Sequence, residues 1–345
     1  MIKVGMLSHR KHPTSVFKAY AFAAVAKLED VLFYFFSPSQ VDFNKKEIRG
    51  WIYEDGEWCE KTFPFPDVIY NASSPKTEKQ RKIIRKLEDY VPFTSHPIGD
   101  KLEVYRKIYD ARVFSDYLIP TFKVTNEKSI FSLLSHTSSI VLKPINGSRG
   151  RDIFFIKKVD KTYIIFDRTK HVEYTESLLL QLLNEMIQKR NYLCQPFIQS
   201  FTKNHSTYSI RLHVQKARRG EWELTTIFPT ISDNSFVANL HQSGTTMDIN
   251  EFLKLEFQDD YYNVKRYLER FALMFSKHFD TLYPYPLDEL GIDIALDANK
   301  KIWIYEVNWR PGTPPLLSLE LDVARQKILY AKYIVENSKK FRSKC

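Results

Sequence analysis

The chain has 345 residues, 43% hydrophobic and 27% charged, which suits a globular protein of two or three subdomains with a real core. No run reaches the ~18 apolar residues of a membrane span, the start lacks a signal-peptide core, and Cys59, Cys194 and Cys345 are too few and scattered for a disulfide framework or zinc site, so a reduced, cytoplasmic setting is expected. Lys and Arg (51) outnumber Asp and Glu (41), a net charge of +10 that attracts anionic partners; with no basic arm or RNA-binding motif, nucleic acid is a minority reading and a membrane is excluded.

The first stretch, 1–95, reads as a small α/β domain. Ile2–Leu7 is a strand, Ser15–Leu28 a helix and Val31–Phe36 a second strand whose continuous apolar run suits a sheet covered on both faces. Asp67–Asn71 is a third strand and Thr77–Asp89 a basic helix, and the alternation favours a parallel sheet. His9, Arg10 and His12 follow the first strand, at the carboxyl edge where such sheets hold ligands; they serve equally well as ordinary loop residues.

Phe93–Gly99 is a break. Residues 96–198 read as a second unit, with a helix Lys101–Tyr117 stopped at Ile119-Pro120, strands at Phe122–Thr125, Ile140–Lys143 and Ile153–Lys157, a helix Glu176–Arg190 and a strand Tyr192–Ile198. The third unit, 199–345, has strands near Tyr208–Lys216 and Trp222–Pro229, a long helix Asp260–His278, and a hairpin Gly291–Val307 turning at Asp297–Lys300.

That hairpin carries the strongest chemical signal. If Leu296 faces Lys301, Asp293 faces Ile304, with Glu306 as its diagonal neighbour and Asn308 on the same face as Glu306. Two carboxylates and an amide oxygen are hard donors suited to Mg²⁺, which keeps waters and phosphate oxygens as its other ligands. A polar hairpin face meeting solvent is the plain alternative, weakened here by the interleaved Ile, Trp and Val. The second signal is Lys143-Pro-Ile-Asn-Gly147-Ser148-Arg-Gly150, a strand delivering a lysine to a glycine-bearing loop that brings backbone N–H groups close to phosphate oxygens. Alone, that loop is as readily a β-turn. Cys194 reads as a buried hydrophobe rather than a nucleophile.

Taken in order, Lys-Pro with Gly-Ser-x-Gly, then Gln195-Pro-Phe-Ile198, then Asp…Glu-x-Asn-x-x-Pro-Gly resembles the ATP-grasp signature over Asp100 to Ser318. Pro66–Asn71, the Lys143 loop and Val237–His241 are similar to the YheC/YheD-type endospore coat-associated proteins within that superfamily. The resemblance implies an α/β (α+β) ATP-grasp fold, in which two α+β subdomains grip ATP behind a small N-terminal α/β domain. It implies metal ligation by Asp293, Glu306 and Asn308, with Mg²⁺ or Mn²⁺. Lys101 and Lys143 would contact phosphate under a loop containing Gly147, Ser148 and Gly150, and Gln195, Phe197 and Ile198 would form the adenine hinge. Arg211, in Ser209-Ile-Arg211, would meet substrate or the transferring phosphoryl group, while Asn239 and His241 would line the same site. Arg211 and Arg310, which stand equally well as ordinary salt-bridge residues, are candidates to stabilise a charged intermediate; His241 is as readily a core histidine.

The activity so implied is a carboxylate–amine ligase working through an acyl phosphate, with an amino acid, acidic peptide or acidic polymer as substrate and a spore-coat association. Ser209 stands where an aspartate is usual, and Gln195 where many members are acidic, so a non-catalytic structural protein and a phosphotransferase are carried as alternatives. Oligomeric state is not legible.

Overall fold

The computed structural model describes residues 1–146, 152–167, 170–232, 244–312 and 317–337. Its first sheet grows from apolar runs. β1 (Ile2–Leu7) and β2 (Val31–Phe36) pair in parallel across α1 (Lys18–Leu28), the crossover helix. β3 (Val41–Asp42) leads into a hairpin of β4 (Glu47–Glu54) and β5 (Glu57–Pro64). Its turn, Asp55-Gly56, has φ of 50° and 89°, the left-handed pair that a two-residue hairpin turn needs. β6 (Val68–Asn71), α2 (Glu78–Glu88) and β7 (Phe93–Thr94) complete the sheet, ordered β3-β4-β2-β1-β6-β7 with β5 on β4. A wholly parallel sheet was the expectation. Only β2-β1-β6-β7 is parallel; the hairpin side is antiparallel.

α3 (Lys101–Ala111) stops earlier than expected, because Arg112 turns left-handed at φ 60° and a 3₁₀ turn, Ser115–Tyr117, follows. The second sheet contains β8 (Phe122–Lys123), β9 (Ser139–Pro144), β10 (Phe154–Val159), β11 (Thr162–Asp167), β12 (Lys170–Tyr174) and β13 (Tyr192–Pro196), in the antiparallel order β12-β11-β10-β9-β13-β8. Its core forms against α4 (Glu127–His136) and α5 (Glu176–Lys189), through Ile130, Leu134, Leu179 and Leu183.

The third sheet is antiparallel in the order β16-β15-β14-β17-β18. Its strands are β14 (Tyr208–Lys216), β15 (Trp222–Ser232), β16 (Gly244–Thr245), β17 (Glu289–Leu296) and β18 (Ile302–Asn308). α6 (Ile249–Phe257) and α7 (Tyr261–Asp280) cover one face; Val264, Leu268, Phe271, Phe275 and Phe279 of α7 recur at helical spacing and are all buried there. α8 (Leu317–Glu336) then returns to the first sheet, where Ala324, Ile328, Ala331 and Ile334 share a core with Val4, Met6 and α1.

The β17–β18 register differs from the expected one. Leu296 pairs with Ile302 and Ile294 with Ile304, and then a bulge skips Tyr305 so that Asp293 pairs directly with Glu306 and Gly291 with Asn308.

Candidate functional site

One face of the third sheet is a polar row. Arg211 on β14, Asp293 on β17 and Glu306 on β18 lie side by side across three strands, since Arg211 pairs with Asp293 and Asp293 with Glu306. Arg211 Nη2 donates to Asp293 Oδ2 at 2.8 Å while its Nε donates to Oδ1, a two-pronged grip in a half-buried setting. Asn308 Nδ2 donates to Asp293 Oδ2 at 3.2 Å, which leaves the Asn308 carbonyl oxygen as a third hard donor. Lys101 Nζ stands 3.8 Å from Glu306 Oε1. Burial raises the Glu306 pKa, against the opposing pull of Lys101, while the nearby Asp293 adds to the rise.

Of these groups Lys101, Glu306 and Asn308 line a cleft of about 540 Å³ between the second and third sheets, while Arg211 and Asp293 lie behind them in the sheet and are not part of its lining. Lys101, Lys143, Gln195, Glu306 and Asn308 line it, together with Tyr105, Thr121 and Tyr305. Lys101 is placed by the start of α3, where Asp100 caps the N–H groups of Leu102 and Glu103 and the Glu103 side chain accepts from the Asp100 N–H in return. Gly99 makes that approach possible. Its φ is +95°, and a Cβ there would lie 2.3 Å from Glu103 Oε2. Lys143 comes from β9, with its Nζ 5.1 Å from the centre of the Tyr305 ring. Burial, reinforced by Lys101, depresses its pKa to about 8.

Gln195 Nε2 donates to Thr121 Oγ1 at 2.7 Å, while its Oε1 is buried with no hydrogen-bond partner. Phe197 and Ile198 follow just past the end of β13 and do not line the cleft; Phe197 packs edge-on against Phe155 at 4.7 Å, and its N–H donates to Ser139 O at 3.0 Å. Arg310 turns away from the cleft toward the first domain. It donates to the Asn71 carbonyl at 3.4 Å and to Ser74 Oγ, and its guanidinium lies 3.8 Å from the Trp309 ring centre. Gly147, Ser148, Gly150, Asn239 and His241 lie outside the described residues.

Sequence reasoning missed Thr121 and Tyr305. Thr121 carries no motif, and its role depends on a partner 74 positions away. Tyr305 reads as one more strand residue until the bulge is seen. Cys194 is buried and its thiol is pushed up to about 12 by that burial, as befits a core hydrophobe.

The donor set is two carboxylates and an amide oxygen, and such hard oxygens fit Mg²⁺ better than a softer metal. Among the described residues no group of three His, Cys, Asp or Glu side chains is arranged to hold a metal ion, and no helix is long and apolar enough to cross a membrane.

The family model described as YheC/D-like ATP-grasp matches residues 90–334. The endospore coat-associated protein YheC of Bacillus subtilis is 24% identical over 94% of this chain and 93% of its own. Among solved structures, a RimK domain ATP-grasp protein from Sphaerobacter thermophilus aligns with a TM-score of 0.53 and 13% identity, covering 96% of this chain and 99% of that one. The ATP-grasp ligase PsnB, complexed with minimal precursor, Mg and ADP, aligns with a TM-score of 0.56 and 9% identity over 96% of this chain and 98% of its own. At these identities the structures show the fold, and the matched span of 90–334 covers most of the molecule; the chain belongs to the YheC/D-like ATP-grasp family.

Proposed function

We propose that this protein is an ATP- and Mg²⁺-dependent ligase that joins a carboxylate to an amine. The observation that carries the reading is the direct opposition of Asp293 and Glu306, with Glu306 and Asn308 lining a cleft that also bears Lys101 and Lys143. Asp293, Glu306 and Asn308 would hold the metal, which when bound neutralises phosphate charge. Lys101 and Lys143 would hold phosphate oxygens, and Gln195, the hinge residue that lines the cleft, would take the adenine. The Gly147–Gly150 loop, with Asn239 and His241, is assigned to the same nucleotide by resemblance.

In this reaction class a substrate carboxylate oxygen attacks the γ-phosphorus as the bond to the β-phosphate oxygen breaks, giving an acyl phosphate and ADP. The amine nitrogen then adds to the acyl carbon, phosphate departs, and the nitrogen loses a proton. The chain contributes positioning, charge and exclusion of water. Arg211 would face the charge that develops on substrate, whereas Arg310, turned toward the first domain, is not placed for that role. A test is isotopic. With an ¹⁸O-labelled carboxylate substrate, one label should appear in the released phosphate; ADP formation that no carboxylate stimulates would overturn the reading.

One contact favours a second reading, a chain that keeps nucleotide without turnover. Both Asp293 oxygens are engaged, by Arg211 and by Asn308. That reading predicts ATP–Mg²⁺ binding with no product from any acid and amine. A spore-coat association is proposed from the likeness to YheC.

A further inference from the structure

The second sheet turns one face to the cleft. On β13, Leu193 and Gln195 alternate with Cys194, which packs into the core, and Leu193 pairs with Lys143 of β9, so Lys143, Leu193 and Gln195 share the face that lines the cleft. Gln195 is only 7% exposed. Its amide can sit in two orientations, which differ in whether the donor end or the acceptor end is offered to an occupant.

Thr121 decides between them. Its segment runs from the 3₁₀ turn to β8 and is tied to the third sheet, where Leu118 bridges to Ile304 of β18. The Thr121 hydroxyl has a single hydrogen, and it donates that hydrogen to the Ile119 carbonyl at 2.7 Å. Its oxygen can then only accept, so the end of Gln195 that meets it at 2.7 Å must be Nε2. Tyr105 of α3 is also hydrogen-bonded to Thr121, which holds that residue from a second element. The consequence falls on the far end of the amide. Gln195 Oε1 is left as a buried acceptor without a hydrogen-bond partner, a costly state until an occupant brings a donor. An amino group on the six-membered ring of a purine brings one. A carbonyl in its place would set two acceptors against each other.

We infer that Thr121 is a positioning residue for nucleotide choice: by holding the Gln195 amide with its oxygen toward the cleft, it makes the site prefer a 6-amino purine to a 6-oxo purine. This rests on the nucleotide reading given above and adds to it the residue that sets the selectivity.

The test is calorimetric titration of the full chain in Mg²⁺ with ATP and with inosine triphosphate, in which a carbonyl replaces the adenine amino group. The unaltered protein should bind ATP more tightly by about tenfold or more. Thr121→Val keeps the shape of the side chain but frees the amide to turn, and should bring the two affinities within about threefold of each other. Thr121→Ser should restore the preference. In Gln195→Glu both side-chain oxygens accept, whichever way the group turns, so adding Thr121→Val to that variant should leave its preference unchanged. A threonine that merely supported the fold would alter both backgrounds alike. Equal binding of the two nucleotides by the unaltered protein, or a preference that Thr121→Val fails to relax, would overturn the inference and leave the nucleotide site standing. Failure to bind either triphosphate would overturn the nucleotide reading of the cleft, and this inference with it.

Discussion

Asp293 and Glu306 face each other only because the bulge passes over Tyr305. Had the pairing of Ile294 with Ile304 simply continued, Asp293 would meet Tyr305 and Glu306 would point to the opposite face, since side chains alternate along a strand. One extra residue thus places both carboxylates beside Asn308.

Asp293→Asn and Glu306→Gln are therefore expected to abolish Mg²⁺-dependent ADP formation, by about 100-fold or more. Both substitutions keep side-chain volume, so thermal melting without metal should change little, while the rise in melting temperature produced by ATP and Mg²⁺ should disappear. Retention of that rise in both variants would place the metal elsewhere.

Lys143 gives the nucleotide affinity a pH dependence. Its pKa is about 8 in the free protein, and an adjacent phosphate would raise it. Below about pH 8 the ammonium is already charged and affinity is flat. Above it, binding must take up a proton, so affinity falls by up to about tenfold per pH unit. A fluorescent ATP analogue titrated from pH 7 to 9.5 should show this decline, and Lys143→Met should flatten it. Stability runs the other way. The unfolded lysine keeps its proton to about its ordinary 10.5, so this residue makes the free fold more stable as pH rises through about 8.

Lys327 is the cation of a buried network. It meets Asp288 Oδ2 at 2.6 Å, Glu289 Oε2 at 2.9 Å and Ser95 Oγ at 2.8 Å, and Glu289 is shared with His213 at 3.0 Å. Burial alone would raise the Glu289 pKa, yet Lys327 and the His213 hydrogen bond hold it down to about 2. Lys327→Met leaves two carboxylates unmatched and should cost about 3–5 kcal/mol of stability by urea denaturation. A loss below about 1 kcal/mol would mean that the network is neutral to folding.

Gly291 sits where no side chain fits. A Cβ would come 2.6 Å from the Pro311 Cβ and 3.0 Å from Arg211 Nη1. Gly291→Ala should thus displace Arg211 from Asp293, cost about 1–3 kcal/mol through overpacking, and lower turnover more than nucleotide affinity. An unchanged turnover rate would show that the Arg211 grip is dispensable.

Most of what builds the cleft was legible in the residues. The strand Tyr208–Lys216 is found as read, and the hairpin bearing Asp293 and Glu306 lies where its turn residues put it. The bulge was not legible, because Ile-Trp-Ile-Tyr alternates smoothly and nothing local marks Tyr305 as the extra residue. The β4–β5 hairpin left an unread signal in Asp55-Gly56 between alternating strands.

The return of α8 to the first sheet has a consequence for biosynthesis. Ala324, Ile328 and Ile334 complete a core begun by Val4, Met6 and Phe22. A ribosome making this chain releases the opening strands long before the helix that covers them, so the earliest apolar surface emerges without its lid and stays exposed while the other two sheets are translated. The amino-terminal unit can therefore finish folding only once α8 has been made, and until then its apolar surface is open to non-native contacts.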